Sequence, residues 1–193
     1  MHKYIALDTE TTGVDFCTSQ VIQCAVIFLD DALQPVARRS WDVNFVPEKF
    51  SWDTVAAEVH GIGRDVVEQH GVDPEQFLRE FEQDIVKHYG VVGGESAELH
   101  VIAANAYFDY LMLELLWSTY RPDEEVPISR RVVDLSSLSL FVLGVSGMST
   151  VLETLGIAVT EEDRHSALYD AELHLKIFHS LATIASREGI SLS

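Results

Sequence analysis

The sequence predicts an α/β domain in which helices flank a five-stranded mixed sheet. Three strand-like segments come first, at residues 3–7, 20–29 and 36–46. Helical and strand-like segments then alternate, and a long amphipathic helix closes the sequence. Three meander strands followed by this alternation are typical of a mixed sheet covered by helices. We expect residues 1–193 to form a single domain, since 47% of them are hydrophobic and can build one sizeable core.

The three early strands are indicated by different patterns. Residues 3–7 are largely apolar and alternate weakly, whereas residues 20–29 form an almost continuous apolar run, as in a strand covered on both faces. Residues 36–46 alternate between apolar and polar side chains and stop at a proline. Asp8 and Glu10 are therefore expected at the end of the first strand, which we place at the centre of the sheet.

Helical signals dominate after the third strand. Residues 52–59 predict a short helix, and Asp73 with Pro74 provides the N-cap and the first residue of a longer one. The glycine-containing residues 91–98 predict a loop, and residues 99–103 predict a buried strand.

The last part of the sequence predicts a strand between helices. Asn105 is expected to cap a helix that runs to about Tyr120. Residues 132–135 predict a short fifth strand, in which Asp134 is expected to act as a structural cap, and the serine-rich stretch after it leads through a small helix. The closing helix is expected to begin near Ser166. Its apolar stripe consists of Ala167, Ala171, Leu175 and Phe178.

Charge and cysteine content limit the class of protein. The 13 basic and 31 acidic residues give a formal net charge of -18, so a broad basic surface for long nucleic acid is not expected. The two cysteines, Cys17 and Cys24, indicate neither a zinc site nor a disulfide framework. We see no signal peptide and no apolar run long enough for a membrane span, and we therefore expect a cytoplasmic protein.

Acidic residues nevertheless gather in three short motifs. Residues 8–13 read DTETTG, residues 105–109 read NAYFD, and residues 165–171 read HSALYDA. Each motif adjoins an apolar segment, so its carboxylates can be aimed from a rigid element at a common point. A pair of divalent cations at a reacting phosphodiester needs several oxygen ligands from different elements, and a nearby histidine can supply a base. Each motif alone is common in loops and helix starts, but the combination is not.

The three motifs resemble those of the DEDD superfamily of 3′-to-5′ exonucleases, in the branch that carries a histidine. A fourth signature of that branch, His-Gly-Ile, is present at residues 60–62. The resemblance covers almost the whole sequence in the family's order, and it implies a ribonuclease H-like fold. It also implies a catalytic set formed by Asp8, Glu10, Asp109, His165 and Asp170.

The resemblance implies a role for each member of this set. Two divalent cations, Mg²⁺ or Mn²⁺, are implied, with Asp8 bridging both of them. Glu10 and Asp170 are implied to complete the site of the cation that orients the water, and Asp109 to hold the second cation, largely through water. His165 is separated from Asp170 by about 140° on a helix. We therefore expect His165 on the loop before the helix, where a neutral imidazole can accept a proton.

Other residues near the motifs carry further expectations. The resemblance implies that Thr11, Thr12 and Phe108 meet the terminal nucleotide, although a core position is equally expected for Phe108. His60 is expected either to shape the sugar pocket or to make a structural hydrogen bond, and Asn105 is another candidate substrate contact.

These features together predict an exonuclease that releases nucleoside 5′-monophosphates from the 3′ ends of single-stranded DNA or RNA. The net charge of -18 favours short or single-stranded ends over tight duplex binding. One alternative keeps the chemistry but acts on very short oligonucleotides, as an oligoribonuclease does. Another is a catalytically idle nucleic-acid-binding module associated with a polymerase, which the intact set of five residues disfavours. The sequence leaves open a homodimer or an association with a polymerase.

Overall fold

The architecture is described from a computed structural model that covers residues 2–90, 99–160 and 166–189. Within these ranges the chain forms five strands and seven helices. In chain order they are β1 (Lys3–Thr11), β2 (Val21–Leu29), β3 (Pro35–Asp42), α1 (Thr54–His60), α2 (Arg64–His70), α3 (Pro74–Tyr89), β4 (Leu99–Ala103), α4 (Ala106–Tyr120), β5 (Val133–Asp134), α5 (Leu135–Leu143), α6 (Met148–Leu155) and α7 (Ala167–Arg187).

The sheet has the strand order β3-β2-β1-β4-β5, with β1 at its centre. β1, β2 and β3 form an antiparallel meander, whereas β4 pairs in parallel with both β1 and β5. The predicted five-stranded mixed sheet with a central first strand is therefore confirmed. Because β1, β4 and β5 are parallel, their carboxyl ends lie at one edge of the sheet, where ligands commonly bind in open α/β sheets.

Side chains of β1 alternate between two cores, one on each face of the sheet. Ile5 and Leu7 pack in a core that α3 and α4 complete, whereas Ala6 packs in a second core under α7. β2 divides in the same way, with Cys24 in the first core and Ala25 in the second. This alternation decides which helix each later residue of β1 faces.

β1 is longer than predicted, because it continues through polar residues up to Thr11. Asp8 pairs with Ala25 of β2, and Glu10 pairs with Gln23. Both acids therefore lie within the strand and not after it. An apolar run marks only the buried part of a strand, since the backbone hydrogen bonds of the ladder do not depend on the polarity of the side chains.

The predicted starts of two helices are confirmed. The Asp73 carboxylate accepts hydrogen bonds from the backbone N–H groups of Glu75 and Gln76, and Pro74 lies in the first turn of α3. α7 begins directly after Ser166, as expected. The four residues of its predicted apolar stripe are all buried.

The capping of α4 differs from the prediction. Asn105 occupies the N-cap position at φ 60°, but its side chain makes no capping hydrogen bond. Asp134 supplies the bond instead, because its Oδ1 accepts from the backbone N–H of Ala106 at 3.3 Å. The other oxygen of Asp134 accepts from the backbone N–H of Ser137 at 3.0 Å, which caps α5. The expectation of a structural cap at Asp134 is therefore confirmed, and that carboxylate joins the starts of two helices.

Two short helices, α2 and α5, were not predicted. α5 lies in the serine-rich stretch, where Leu135 and Ser139 are buried and the intervening serines hide the helical spacing. β3 ends at Asp42, before the predicted end at residue 46. The predicted loop at residues 91–98 lies outside the described residues.

Within the described ranges, no single helix is both long and apolar enough to cross a membrane. α5 and α6 meet at a bend of 49°, and only as a pair do they satisfy the length and composition of a span.

Candidate active site

Three of the predicted acids converge on the α7 face of the sheet. Asp8 and Glu10 are two positions apart on β1, so their side chains leave the strand on the same face. Asp170 lies in the first turn of α7, the helix that packs on this face. One carboxylate oxygen from each of the three residues can be chosen so that all lie within 4.8 Å of one another. The cluster forms at the edge of the sheet where β1 and β4 end.

The fourth acid, Asp109, reaches the same edge from the opposite face. It lies in the first turn of α4, and only 3% of the residue is exposed. Thr9, which points away from the α7 face between Asp8 and Glu10, donates a hydrogen bond from its hydroxyl to Asp109 Oδ1 at 2.7 Å. A bond between residues this far apart in sequence fixes the start of α4 against the central strand.

The acids strongly oppose one another's ionisation. Burial, followed by the charges of Asp109, Glu10 and Asp170, raises the pKa of Asp8 well above its ordinary value. Burial and the charges of Asp170 and Asp109 raise the pKa of Glu10 to about 8. Burial also raises the pKa of Asp109 to about 7, although the hydrogen bonds from Thr9 hold it down in part. Without a positive charge nearby, the folded chain therefore favours protonated forms of these groups.

The donor set fits divalent cations of the hard type. Carboxylate oxygens are the ligands that Mg²⁺ and Mn²⁺ prefer, and they are supplied here from one strand and two helices. In the part of the chain that the structure describes, no lysine or arginine forms an ion pair with Asp8, Glu10 or Asp109. Bound cations would supply the missing positive charge, so the cluster could hold divalent metal ions.

A buried histidine that the sequence analysis missed lies behind Asp8. His174 is four residues after Asp170 on α7 and is only 2% exposed. Its Nδ1 donates to the carbonyl oxygen of Leu7 at 3.0 Å, and its Nε2 lies 3.9 Å from Asp8 Oδ1. Burial lowers the pKa of His174 to about 4, so the imidazole is neutral at pH 7. The four-residue spacing from Asp170 was the available signal.

The predicted base, His165, lies outside the described residues. In sequence it directly precedes Ser166, the N-cap residue of α7. The expectation that it lies on the loop before that helix and acts on the water remains a prediction.

Thr11 and Thr12 use their hydroxyl groups within the segment that follows β1. The Thr11 hydroxyl donates to the carbonyl oxygen of Gly13 at 2.7 Å, and the Thr12 hydroxyl accepts from the backbone N–H of Gln20 at 2.9 Å. Both side chains are buried. These hydroxyls stabilise the β1–β2 connection, so contact of this segment with a nucleotide remains a prediction.

The remaining candidate contacts lie in different surroundings. Phe108 is partly buried against the α4 core, and its ring centroid lies 5.6 Å from that of Phe16, whose side chain is 44% exposed. His60 ends α1 in a buried position, where its Nδ1 accepts from the backbone N–H of Ile62 at 3.0 Å. Asn105 is exposed at the start of α4. The structure thus provides His60 with a structural hydrogen bond and leaves Phe108 at the boundary between core and surface.

The fold and the acid cluster together define a class, the ribonuclease H-like α/β proteins, as the resemblance implied. Within this class, a model of the exonuclease family, RNase_T, matches residues 5–178. The chain therefore belongs to the exonuclease family, and the predicted family and its enzymatic class, 3′-to-5′ exonuclease, are confirmed.

Two relatives support this assignment at the level of sequence. The chain is 25% identical over 188 residues to ribonuclease T of Baumannia cicadellinicola, an alignment that covers 96% of this chain and 85% of the relative. It is 23% identical over 183 residues to ribonuclease T of Buchnera aphidicola, with 90% and 81% covered.

Solved structures show the same fold in larger proteins. Exonuclease I of E. coli in complex with a dT13 oligonucleotide superposes with a TM-score of 0.76 at 14% identity. The superposition covers 98% of this chain but 43% of the E. coli chain. Exonuclease I of Methylocaldum szegediense gives a TM-score of 0.71 at 16% identity, covering 98% of this chain and 41% of that one. The chain thus spans less than half of these exonucleases.

Proposed function

We propose that the protein is a metal-dependent 3′-to-5′ exonuclease that releases nucleoside 5′-monophosphates from single-stranded DNA or RNA by two-metal-ion hydrolysis. The observation that carries this proposal is the convergence of Asp8, Glu10 and Asp170 within 4.8 Å, with Asp109 anchored beside them. A set of acids that oppose one another's ionisation is costly unless cations bind to it.

The proposed ligands are the four acids. Asp8 would bridge the two cations, Glu10 and Asp170 would complete the site of one cation, and Asp109 would hold the other cation. Divalent cations bound there would activate a water and stabilise the charge on the phosphate undergoing displacement. Thr9 holds the Asp109 carboxylate in place, and His174 presents a neutral Nε2 behind Asp8. The hydrogen bond from Thr9 keeps Asp109 oriented as a ligand.

His165 is proposed to take the proton from the attacking water. A neutral imidazole can do so at neutral pH, because its ordinary pKa is about 6.5. Phe108 and the partly exposed Phe16 beside it offer apolar surface to the terminal base. Thr11, Thr12, His60 and Asn105 remain candidate contacts to the same nucleotide.

The substrate class is supported by the relatives and limited by the charge. Two relatives are ribonucleases T, and a structural neighbour is bound to a dT13 oligonucleotide, so single-stranded 3′ ends are the proposed substrate. The net charge of -18 favours a second candidate, the hydrolysis of very short oligonucleotides, because it disfavours contacts with a long polyanion. A cytoplasmic location, a homodimer and an association with a polymerase remain predictions.

One comparison tests the proposal and separates the two candidates. Labelled single-stranded DNA, single-stranded RNA and dinucleotides are incubated with the protein and Mg²⁺ or Mn²⁺, with and without excess chelator, and products are identified by mass. We expect nucleoside 5′-monophosphates, shortening from the 3′ end, and no reaction in chelator. Preferential cleavage of dinucleotides would favour the second candidate. The absence of cleavage of all three substrates with either cation would refute both.

A further inference from the structure

A pair of histidines lies at the edge of the sheet opposite the acid cluster. His2 directly precedes β1, and His100 is the second residue of β4. In the parallel ladder Tyr4 pairs with His100, so both histidines lie where β1 and β4 begin. Asp8 is six positions after His2 in the sequence. Because that length of extended strand spans about 20 Å, the histidine pair is separate from the acid cluster.

The hydrogen bonds of His100 define its two ring nitrogens. Its Nδ1 lies 2.6 Å from the carbonyl oxygen of Arg131. A carbonyl oxygen can only accept, so Nδ1 carries a proton and donates it. When the His100 ring is neutral, Nε2 is therefore unprotonated. This Nε2 lies 2.9 Å from Nδ1 of His2, which donates to it.

Histidines that bind metals commonly have this arrangement. A ligating histidine usually donates its other ring N–H to a carboxylate or a backbone carbonyl, which fixes the tautomer and the orientation of the ring. The Arg131 carbonyl does so for His100, which is only 7% exposed. His100 therefore offers one nitrogen in a fixed position.

His2 can offer the second nitrogen. The residue is exposed, and its ring is inclined at 52° to that of His100, with the centroids 4.9 Å apart. A change of tautomer, in which the proton moves from Nδ1 to Nε2, leaves a lone pair on Nδ1. A turn of the exposed ring then directs both lone pairs to a point beside the line that joins the two nitrogens.

The distance between the two nitrogens favours one class of cation. Two ligands about 2.0 Å from a metal lie about 2.8 Å apart at a right angle, and about 3.3 Å apart in a tetrahedral site. The observed 2.9 Å is close to the first value. Ligands at right angles are typical of tetragonal Cu²⁺ and Ni²⁺ sites, and imidazole suits both cations. Of the two, Cu²⁺ binds a given set of ligands more tightly.

We propose that His2 and His100 form a site for a tetragonal transition-metal cation, foremost Cu²⁺, with their two facing nitrogens in adjacent positions and water completing the coordination. The cation replaces the proton that lies between the two nitrogens. Because the ligands come from the starts of β1 and β4, it joins two strands that are far apart in sequence. This inference does not depend on the proposed function.

The test titrates CuCl₂ into the protein in excess Mg²⁺, which prefers carboxylate oxygens and leaves imidazole nitrogens free. Affinity is measured by calorimetry, the nitrogen ligands by electron paramagnetic resonance of the bound Cu²⁺, and stability by the melting temperature. His2→Gln and His100→Gln are compared with the parent protein and with His70→Gln, a matched control at an exposed histidine on α2. All four proteins carry Cys17→Ser, because an exposed thiol would compete for Cu²⁺.

We expect one equivalent of Cu²⁺ with two nitrogen ligands in the parent and in His70→Gln. His2→Gln and His100→Gln should each lose one nitrogen ligand and bind Cu²⁺ at least about tenfold more weakly. At about 100 times the Kd, Cu²⁺ should raise the melting temperature of the parent by about 5 °C or more. At the same concentration, both of these variants should show a much smaller rise.

The opposing results are equally clear. Equal Cu²⁺ affinity in the parent, His2→Gln and His100→Gln would overturn the site. So would a lower melting temperature in both variants without any dependence on Cu²⁺, because the pair would then serve only as a hydrogen bond. Tighter binding of Zn²⁺ than of Cu²⁺ would overturn the tetragonal assignment. Since His2 is exposed, His2→Gln decides the question even if His100→Gln does not fold.

Discussion

On the α7 face of β1, Asp8 and Glu10 meet Asp170, and no described lysine or arginine pairs with the two strand acids. On the α4 face of the same strand, Thr9 donates a hydrogen bond to Asp109 at 2.7 Å. On the α7 face, three carboxylates lie close together and repel one another. On the α4 face, a single carboxylate accepts a hydrogen bond from a hydroxyl group. Consecutive residues of one strand perform these two tasks because side chains alternate between its faces.

The difference between the faces indicates which parts of the site can be changed independently. A ligand on the α7 face is costly to the isolated fold, because its charge is buried among other acids. The hydroxyl on the α4 face offsets part of that cost for Asp109. Substitutions on the α7 face should affect cation binding more than folding, whereas substitutions on the α4 face should affect both cation binding and folding.

Asp8→Ala should have the largest effect. Turnover should fall by roughly 10³-fold or more, since the proposed bridging carboxylate would support several kcal/mol of transition-state stabilisation through the cations. Cation affinity, measured by calorimetry with Mn²⁺, should fall as well. The melting temperature in chelator should not fall, because a repelling charge is removed. Asp123→Ala, which changes an exposed acid away from the site, is the control, and undiminished turnover in Asp8→Ala would exclude the metal assignment.

His165→Ala should distinguish the role of a general base from that of a metal ligand. A general base contributes about 10² to 10⁴ in rate. We expect kcat to fall within that range while the affinities for Mn²⁺ and for substrate are retained. His70→Ala, an exposed histidine on α2, should behave like the wild type. Loss of Mn²⁺ affinity in His165→Ala would mean that this residue is a ligand and not the base.

Thr9→Val tests the role of the hydrogen bond on the α4 face. The substitution keeps the shape of the side chain but removes the bond to Asp109, whose pKa should then rise further. Loss of such a supporting bond typically costs about 10- to 100-fold in metal affinity or activity. Thr9→Ser, which keeps a hydroxyl, should recover most of the loss. If valine and serine are equivalent, the bond does not support the site.

The smallest expected effect is a dependence of stability on pH without cations. Glu10, with a pKa of about 8, and Asp109, with a pKa of about 7, bind protons in the folded chain that the unfolded chain has already released. The free energy of unfolding in chelator should therefore fall as the pH rises from 6.5 towards 8. His174, whose pKa is lowered from 6.5 to about 4, adds an opposing slope near pH 6.5, because the unfolded chain still binds part of a proton there, and this contribution fades as the pH approaches 8.

Thermal unfolding at a series of pH values measures this dependence. Mn²⁺ should raise the melting temperature more at pH 8 than at pH 6.5, because the acids must lose their protons to bind it. Glu10→Gln should flatten the slope in chelator. A stability that rises with pH over this range would contradict the repulsion described for the acid cluster.

Much of the α7 face was predictable from sequence. The Asp-x-Glu spacing has the period of a strand, so Asp8 and Glu10 share a face, and the apolar stripe of α7 indicated the helix that carries Asp170. The extension of β1 to Thr11 was not predictable from its polarity, because the ladder is formed by the backbone. Helix α5 was not predicted because its serines interrupt the apolar pattern.

The supporting residues were harder to find, because each depends on contacts between distant segments. Thr9 stands at the position of the motif that accepts any residue, and its partner lies on α4. His174 was indicated only by its spacing from Asp170 within an apolar helix. Asp134, and not Asn105, caps α4, because β5 brings the Asp134 carboxylate next to the start of that helix. Local patterns predict elements, but they do not identify partners across the sheet.

The pairing of β1 also has a consequence for the order of folding. Its antiparallel partner β2 follows closely in sequence, whereas its parallel partner β4 follows only after three helices. Contacts between distant segments form slowly, because the entropy of closing the intervening loop must be overcome first. The meander can therefore form early with Asp8 and Glu10 already aligned, while Asp109 and Asp170 arrive only when β4, α4 and α7 have docked. A partly folded chain holds half of the acids and no assembled site.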